Sequence, residues 1–461
     1  MTTAVDASST RGFNLACVRA FDIRGVVGRD LDTCDARLLG GAYAALAQER
    51  GLTRIAVGRD GRVTSPAMEA ALLEGLVEGG LDITRVGVGP TPMLAFAVRS
   101  LGLDGGVMVT ASHNPPPENG FKLLMGADRI HGSALRAMVA RPAIPAQGGQ
   151  VVELSVVDAY LEELLASAGE LRFMKVAWDC GSGATGEVVR RLTARLPGEH
   201  VLLHTEIDGR FPHHHADPAV EANMRDLQSA VVAHGCDLGI AFDGDGDRVG
   251  AVDGSGALIW ADQLLLFLAA DLLRDHPGAT VVADVKSTRV LFDGVDALGG
   301  HAIMVPSGYV LVRQAMRKHG ALLGGELSGH IFYADGWDGT DDAVYVALRL
   351  LRALSRGNQS LGAFREGLPR TVTTPEARIP CPEAAKARVI AEVGARLREQ
   401  GARVDEGDGL RVTTDDGWWL LRASGTESKL TCRCEAADEA GLERLSLQLR
   451  RELRASGVEL G

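Results

Sequence analysis

Apolar and polar positions along the chain fall into a recurring order: a short apolar run, a glycine-rich loop, then a longer segment with apolar residues at helical spacing. TRIAVGRD (53–60) reads as a buried strand closed by charges, and SPAMEAALLEGLVEGG (65–80) as a helix with Ser65 as N-cap and Pro66 in the first helical position. GGVMVTAS (105–112) is another strand running into a loop. After GQVVELS the order restarts, with MKVAWDCGSGATGEVVRRLTARL as strand, glycine turn and helix, and DLGIAFDGDGDRVGAVD as strand and loop. ATVVADVKSTRVLFDGVDALG opens a third unit. Such alternation predicts three consecutive α/β domains with largely parallel sheets covered by helices on both faces. Past about residue 370 the texture shifts to GWWLLR and TCRCEAA strands with a C-terminal helix, a smaller α+β domain. The breaks fall near 155, 256 and 370, giving segments 1–155, 156–256, 257–370 and 371–461.

Length and composition support several domains. At 461 residues the chain exceeds what one core usually supports, roughly 100–150 residues per domain. Its 57 glycines are about 12%, against a usual ~7%, and they lie mostly between apolar runs, where they mark tight loops. A net charge of −12 argues against nucleic acid or an anionic membrane as partner, so an anionic substrate requires a local basic pocket. Seven cysteines without a C-x-x-C pair indicate reduced thiols and a cytoplasmic protein. Cys432 and Cys434 alternate along a strand and read as packing residues. The N-terminus lacks an apolar signal core and reads as a loose tail, and Leu264–Leu273 is about half the ~20 residues of a membrane span.

Four loops carry candidate chemistry. In AFDGDGDRVG (241–250), Asp243, Asp245 and Asp247 alternate with glycine after an apolar strand, a pattern that suits a hard divalent cation. An EF-hand is excluded, because its sixth and twelfth positions would be Arg248 and Gly254. In TASHNPPPENGFKLL (110–124), Ser112 sits in a loop stiffened by three prolines, beside His113 and upstream of Lys122. It fits neither G-x-S-x-G nor S-x-x-K, and the residues leave a phosphoryl carrier and a polar turn both open. GGELSGH (324–330) places Glu326, Ser328 and His330 at alternate positions suited to sugar hydroxyls, or forms a plain polar turn. RASGTESKL (422–430) offers a phosphate cradle of guanidinium, hydroxyls and backbone N–H groups, or a strand connection. A competing motif is Gly181-Ser-Gly-Ala-Thr-Gly186 with Glu206 twenty residues on, which matches a dinucleotide fingerprint but accounts for none of the other loops.

With FDIRGVVG near the start, these loops occur in an order and spacing that resemble the α-D-phosphohexomutase family, in its bacterial phosphomannomutase/phosphoglucomutase branch. The likeness runs from about Cys17 to the C-terminal helix. It implies a heart-shaped, four-domain protein with a central cleft and a mobile C-terminal lid. It implies that Ser112 is the phosphorylated serine and that Asp243, Asp245 and Asp247 hold Mg²⁺ together with its phosphate. Glu326 and Ser328 would bind sugar hydroxyls, and Arg422, Ser424, Gly425 and Thr426 the phosphate that is not reacting. Arg24, Lys122, Arg248 and His330 would stabilise charge or move protons, with His113, Lys286 and Tyr309 at further site positions. The implied reaction interconverts hexose 1- and 6-phosphates through glucose or mannose 1,6-bisphosphate, which also serves as activator. Hexose phosphates would be its partners, and a monomer is favoured because one cleft suffices. Phe21 and Tyr309 stand where the branch often has tyrosine and histidine, which shifts proton transfer toward His330 and Lys122. FPHHHADP (211–218) looks like a metal cluster, but it resembles a family loop at the entry to the second domain and is expected to be structural. The two rivals are a dinucleotide-dependent oxidoreductase and a non-catalytic sugar-phosphate binding protein.

Overall fold

Apolar alternation builds four sheets in the computed structural model, which describes residues 12–126, 128–146, 148–424 and 429–459. In the first sheet the strand order is Ile23–Val26, Glu118–Met125, Gly105–Val109, Arg54–Arg59, Asp82–Val88 and Val151–Glu153. Arg54–Arg59 runs parallel to both neighbours, whereas Glu118–Met125 is antiparallel to both of its own. Gly105–Val109 is buried along its whole length, as its uninterrupted apolar sequence requires. Period-two alternation sorts this sheet's residues between two cores. Ile55, Val57, Val107, Val109 and Phe121 pack with residues of helices Thr33–Glu49, Ser65–Glu78 and Gly132–Val139. Gly58 and Gly106 instead lie against Leu94 of helix Thr91–Ser100.

The second sheet orders Leu258–Ile259, Val249–Asp253, Leu238–Phe242, Lys175–Asp179 and Glu199–Leu203. Its last three strands are parallel, but Leu238–Phe242 and Val249–Asp253 form an antiparallel hairpin. The acidic loop is thus the tip of a hairpin, not the simple strand-to-loop passage that the sequence suggests. In the third sheet Thr280–Asp284 is parallel to His301–Val305 and Leu323–Gly325. The fourth is antiparallel, and its Gly417–Ala423 strand shows why two adjacent tryptophans can both be buried. Trp419 and Leu421 face a core shared with Cys432, Cys434, Leu445 and Leu449, while Trp418 and Leu420 face Val285. The expected packing role of both cysteines holds, and no disulfide forms among the described residues.

Spatially the described chain gathers into two bodies. One comprises residues up to Ile259 with Gly329–Ile331 and Thr340–Leu361; the other comprises Trp260–Ser328, Phe332–Gly339 and the chain from Gly362. The Leu264–Leu273 run lies in helix Ala261–Asp275, and among the described residues no helix is long and apolar enough to cross a membrane.

Ser65 differs from its expected role. The N-cap position of helix Ser65–Glu78 is Thr64, which makes no side-chain capping bond, and the Ser65 hydroxyl donates to Asp60 Oδ1 at 2.6 Å. The same hydroxyl accepts from Asn119 Nδ2 at 3.0 Å, so it is engaged away from the helix end. This helix meets Thr33–Glu49 backbone to backbone: a Cβ on Gly75 would lie 2.1 Å from the Arg37 carbonyl oxygen, and one on Gly40 2.4 Å from that of Leu72. A Gly75→Val variant is therefore expected to lose about 1–3 kcal/mol by overpacking, read as a lower thermal midpoint in calorimetry.

Candidate active site

The loop after Gly105–Val109 is held from below by Arg62. This guanidinium is 1% exposed. It donates to the carbonyl oxygens of Ser112 (2.7 Å), Asn114 (2.6 Å), Pro115 (2.8 Å) and Glu118 (2.9 Å). Asp60 balances its charge at 3.2 Å. Burial pulls the Arg62 pKa down from its ordinary value, against the Asp60 attraction. Arg24 joins the first strand to the same loop, donating to Asn114 Oδ1 at 2.5 Å and to the Ala111 carbonyl at 3.2 Å, with Asp22 holding its other edge.

So held, Ser112 has φ 53°, a left-handed conformation that costs a non-glycine residue on the order of 1–3 kcal/mol. The conformation turns its hydroxyl toward the acidic loop. Ser112 Oγ donates to Asp243 Oδ2 at 2.8 Å and lies 3.2 Å from His113 Nδ1. The loops touch through backbone as well, since a Cβ on Gly244 would lie 2.4 Å from the Ser112 carbonyl oxygen. The alternating glycines of DGDGDR are therefore a steric need. Asp243 also organises its own hairpin tip, its Oδ1 accepting from the N–H groups of Asp247 and Arg248, both at 3.1 Å.

Asp243, Asp245 and Asp247 are all buried, and one carboxylate oxygen from each lies within 4.8 Å of the others. Lys122 donates to Asp245 Oδ2 at 2.6 Å and to Asp247 Oδ2. His330 Nε2 is 3.3 Å from Asp247 Oδ1, and Arg248 Nε lies 3.4 Å from the same ring nitrogen. Burial, then Asp247 and Asp245, push the Asp243 carboxyl well above the usual range. Burial and Asp247 also push Asp245 up, but Lys122 and a hydrogen bond from Thr91 outweigh them and leave it low. Asp247 is held lower still, burial being overcome by Lys122, His330 and Arg248. Burial drives His113 well below its ordinary pKa, with Arg248 and Arg24 acting the same way. His113 therefore meets Ser112 as a neutral imidazole and adds no positive charge, which leaves that role to Lys122 and Arg248.

A hard divalent cation fits this donor set. Asp245 Oδ1 is buried without a hydrogen-bond partner, and the ammonium of Lys122 already spans two of the carboxylates as a cation would. Oxygen-only donors match Mg²⁺ rather than softer ions.

The second body holds the remaining candidates. Glu326 is buried, and its Oε1 accepts from Gly308 N at 2.7 Å. Lys286 Nζ lies 3.7 Å from Asp284, Ser328 is half-buried, and Tyr309 is buried at the start of helix Tyr309–His319. GGELSGH is divided: Glu326 and Ser328 belong to this body, and His330 to the other. Arg422 pairs with Asp408 at 3.0 Å, while the Ser424 carbonyl accepts from Lys386 at 2.7 Å. Gly425 and Thr426 lie outside the described residues, as does the N-terminal tail to residue 11.

The dinucleotide fingerprint has another use. A Cβ on Gly183 would lie 2.9 Å from the Gly244 carbonyl oxygen, and one on Gly186 2.0 Å from that of Thr205. The protein's own backbone fills the space a pyrophosphate would need. Glu206 pairs with Arg190 on the surface. No sequence motif marks Arg62, Asp60, Thr91 or Asp341, the last of which offers an oxygen within 4.8 Å of ligand atoms on Asp247 and His330. The only local signal for the first two was a charged GRDGR segment, indistinguishable from a solvated turn until its carbonyl partners are known.

Family models described as phosphoglucomutase/phosphomannomutase match nearly the whole chain. The α/β/α domains I, II and III match residues 17–135, 158–256 and 260–372, and the C-terminal domain matches 376–452. A phosphomannomutase/phosphoglucomutase of Pseudomonas putida is 38% identical over 445 residues, covering 96% of each chain. A phosphoglucomutase of Neisseria meningitidis is 40% identical over 439 residues, covering 94% of this chain and 95% of its own. A crystal structure of a phosphoglucomutase/phosphomannomutase family protein from Burkholderia thailandensis superposes with a TM-score of 0.89 at 37% identity, covering 96% of this chain and 98% of its own.

The Arg62 clamp makes a direct prediction. Arg62→Ala leaves Asp60 and several carbonyls without their buried partner and is expected to cost about 3–5 kcal/mol in a thermal or denaturant melt. Arg62→Lys keeps the charge but loses the planar fork, so amide hydrogen exchange should accelerate across 110–118 even where the variant stays folded.

Proposed function

The chain belongs to the phosphoglucomutase/phosphomannomutase family, an isomerase family, and from that premise we propose how its residues carry out the reaction. The substrates are the 1- and 6-phosphates of mannose and glucose, and the carrier is a phosphoserine at Ser112. One observation bears most of this reading: a buried, strained serine hydroxyl donates to the first of three clustered aspartates at 2.8 Å.

In the first half-reaction the Ser112 Oγ–P bond breaks while a free sugar hydroxyl of the hexose monophosphate bonds the phosphorus. The hydroxyl proton passes to a base, for which we assign His330, and Ser112 Oγ takes up a proton as it leaves, for which we assign the Lys122 ammonium. The product is a hexose 1,6-bisphosphate. It turns round in the site, its other phosphoryl group returns to Ser112, and the two steps together leave the proton count unchanged. Mg²⁺ held by Asp243, Asp245 and Asp247 with a serine phosphate oxygen would supply charge neutralisation for the transferring phosphoryl group. Lys122 and Arg248 bring positive charge to the same place, and neutral His113 offers a hydrogen-bonding ring nitrogen at Ser112 Oγ. Arg24 steadies the loop through its bonds to Ala111 and Asn114.

Glu326 and Ser328 recognise sugar hydroxyls in this proposal, and Lys286 and Tyr309 complete that side. Arg422, Ser424, Gly425 and Thr426 hold the phosphate that is not reacting. A phosphate cradle separate from the serine is what a substrate bound in two orientations needs, since one end must be held while the other reacts. The domain boundaries near 155, 256 and 370 belong to the same reading. So does a cytoplasmic monomer, because one chain carries every residue the cycle requires.

Intact-mass measurement tests the carrier. Incubation with glucose 1,6-bisphosphate should add one phosphate to the protein, and Ser112→Ala should abolish both the gain and turnover. Absence of the gain together with absence of interconversion of mannose 1- and 6-phosphate refutes the proposal. Lys122→Met is expected to lower kcat by about 10²–10³-fold. Chelation with EDTA should remove activity that added Mg²⁺ restores.

A further inference from the structure

The FPHHHADP run is expected from sequence to be a structural loop, yet it builds a polar cluster on the second sheet that the phosphoryl-transfer site does not use. Asp179, His204 and His214 each offer a ligand atom, all within 4.8 Å of one another. Asp179 is buried at the end of strand Lys175–Asp179, and its Oδ1 accepts from Gly181 N at 2.9 Å. Its Oδ2 lies 2.9 Å from His214 Nε2. His204 directly follows strand Glu199–Leu203 and stacks on His213, with ring centroids 3.9 Å apart. His204 Nε2 is 2.9 Å from Asp226 Oδ2.

Two features point to a cation here. The first is a conflict of acceptors. His214 Nδ1 lies 3.0 Å from the His215 carbonyl oxygen, which can only accept, so Nδ1 carries the hydrogen. In a neutral ring Nε2 is then a bare lone pair, and it faces a carboxylate oxygen that also only accepts. Something positive must lie between them, either a proton or a metal ion. A carbonyl fixing the tautomer of a metal-bound histidine is the usual outer support of such sites. The second is backbone strain. His204 sits at φ 52°, one of four non-glycine residues with positive φ among those described. Strain of this kind persists where the surroundings demand a particular side-chain placement.

We propose that Asp179, His204 and His214 form a binding site for a transition metal ion of the zinc type, separate from the three-aspartate site. Two imidazoles and one carboxylate are a borderline donor set that favours Zn²⁺, Co²⁺ or Ni²⁺ over Mg²⁺. Asp226, beside His204 Nε2, steadies that ring or joins the donors. The site has a mechanical connection to the reacting loop, because Ala216, two residues past His214, accepts from Gly244 N at 3.2 Å through its carbonyl. An ion on His214 would stiffen the segment against which the DGDGDR tip rests.

Equilibrium dialysis of the full chain against Zn²⁺ in excess Mg²⁺, followed by elemental analysis, tests this in wild type, His204→Gln, His214→Gln and Asp247→Asn. One Zn²⁺ per chain is expected in wild type and in Asp247→Asn, with affinity at least ~10-fold weaker in both histidine variants. Retained mutase activity of His204→Gln in Mg²⁺ alone reports that its fold is intact. The proposal is overturned if no Zn²⁺ is retained, if the histidine variants bind it as wild type does, or if only Asp247→Asn loses it.

Discussion

A single buried guanidinium sets the geometry of the candidate active site. Arg62 binds several carbonyl oxygens of one loop, and those bonds bend TASHNPPPE so that Ser112 adopts a conformation it would not choose alone. An arginine can do this because its donors are planar and fan outward, and because Asp60 removes the cost of an unpaired charge in the core. The prolines following the serine narrow the loop's alternatives, so less conformational entropy is lost on ordering it.

The same device recurs in the second body. Arg411 donates to the carbonyls of Val285 and Ser287, and Arg433 donates to that of Lys286, which fixes the VKS loop against Trp418. Arg411 lies 3.8 Å from the Trp418 ring centroid, so the cation is desolvated against a π face as well. In both bodies a loop carrying candidate site residues is ordered by arginines bound to its backbone, leaving its side chains available for chemistry.

Strain concentrates where chemistry is expected. The four described non-glycine residues with positive φ are Ser112, Ser182, His204 and Phe211. Ser182 donates its N–H to the His204 carbonyl, Phe211 lies beside Gly244 and under Arg62, and Ser112 touches Gly244. Ser112 and Phe211 form a shell against the DGDGDR tip at Gly244, and Asp208 links Phe211 to Ser182 through backbone hydrogen bonds. Buried carboxylates repel each other and would relax apart, and this shell, with Lys122 spanning two of them, resists that.

Much of this was legible in the chain itself. Apolar runs marked the strands, DGDGDR marked an oxygen-donor site, and glycine spacing marked loops, because each depends on residues close in sequence. The hairpin that carries the acidic loop was missed, since an antiparallel return needs only that two apolar runs face one another. Ser65 was misplaced as a cap because its hydroxyl is engaged by Asp60, five residues earlier, and by Asn119 from a distant strand. G-x-G-x-x-G matched a nucleotide turn, yet its middle glycine accommodates the acidic loop, a use visible only when Gly183 and Gly244 meet. By itself the sequence determined which groups are available: a serine, three aspartates, a lysine 123 residues before the second of them, and the loops that bear them. Tertiary structure alone decided that Arg62 would bend the serine loop, that Lys122 would bridge Asp245 and Asp247, and that His113 would be neutral. Those outcomes rest on burial and on contacts between residues far apart in the chain, which no local pattern encodes.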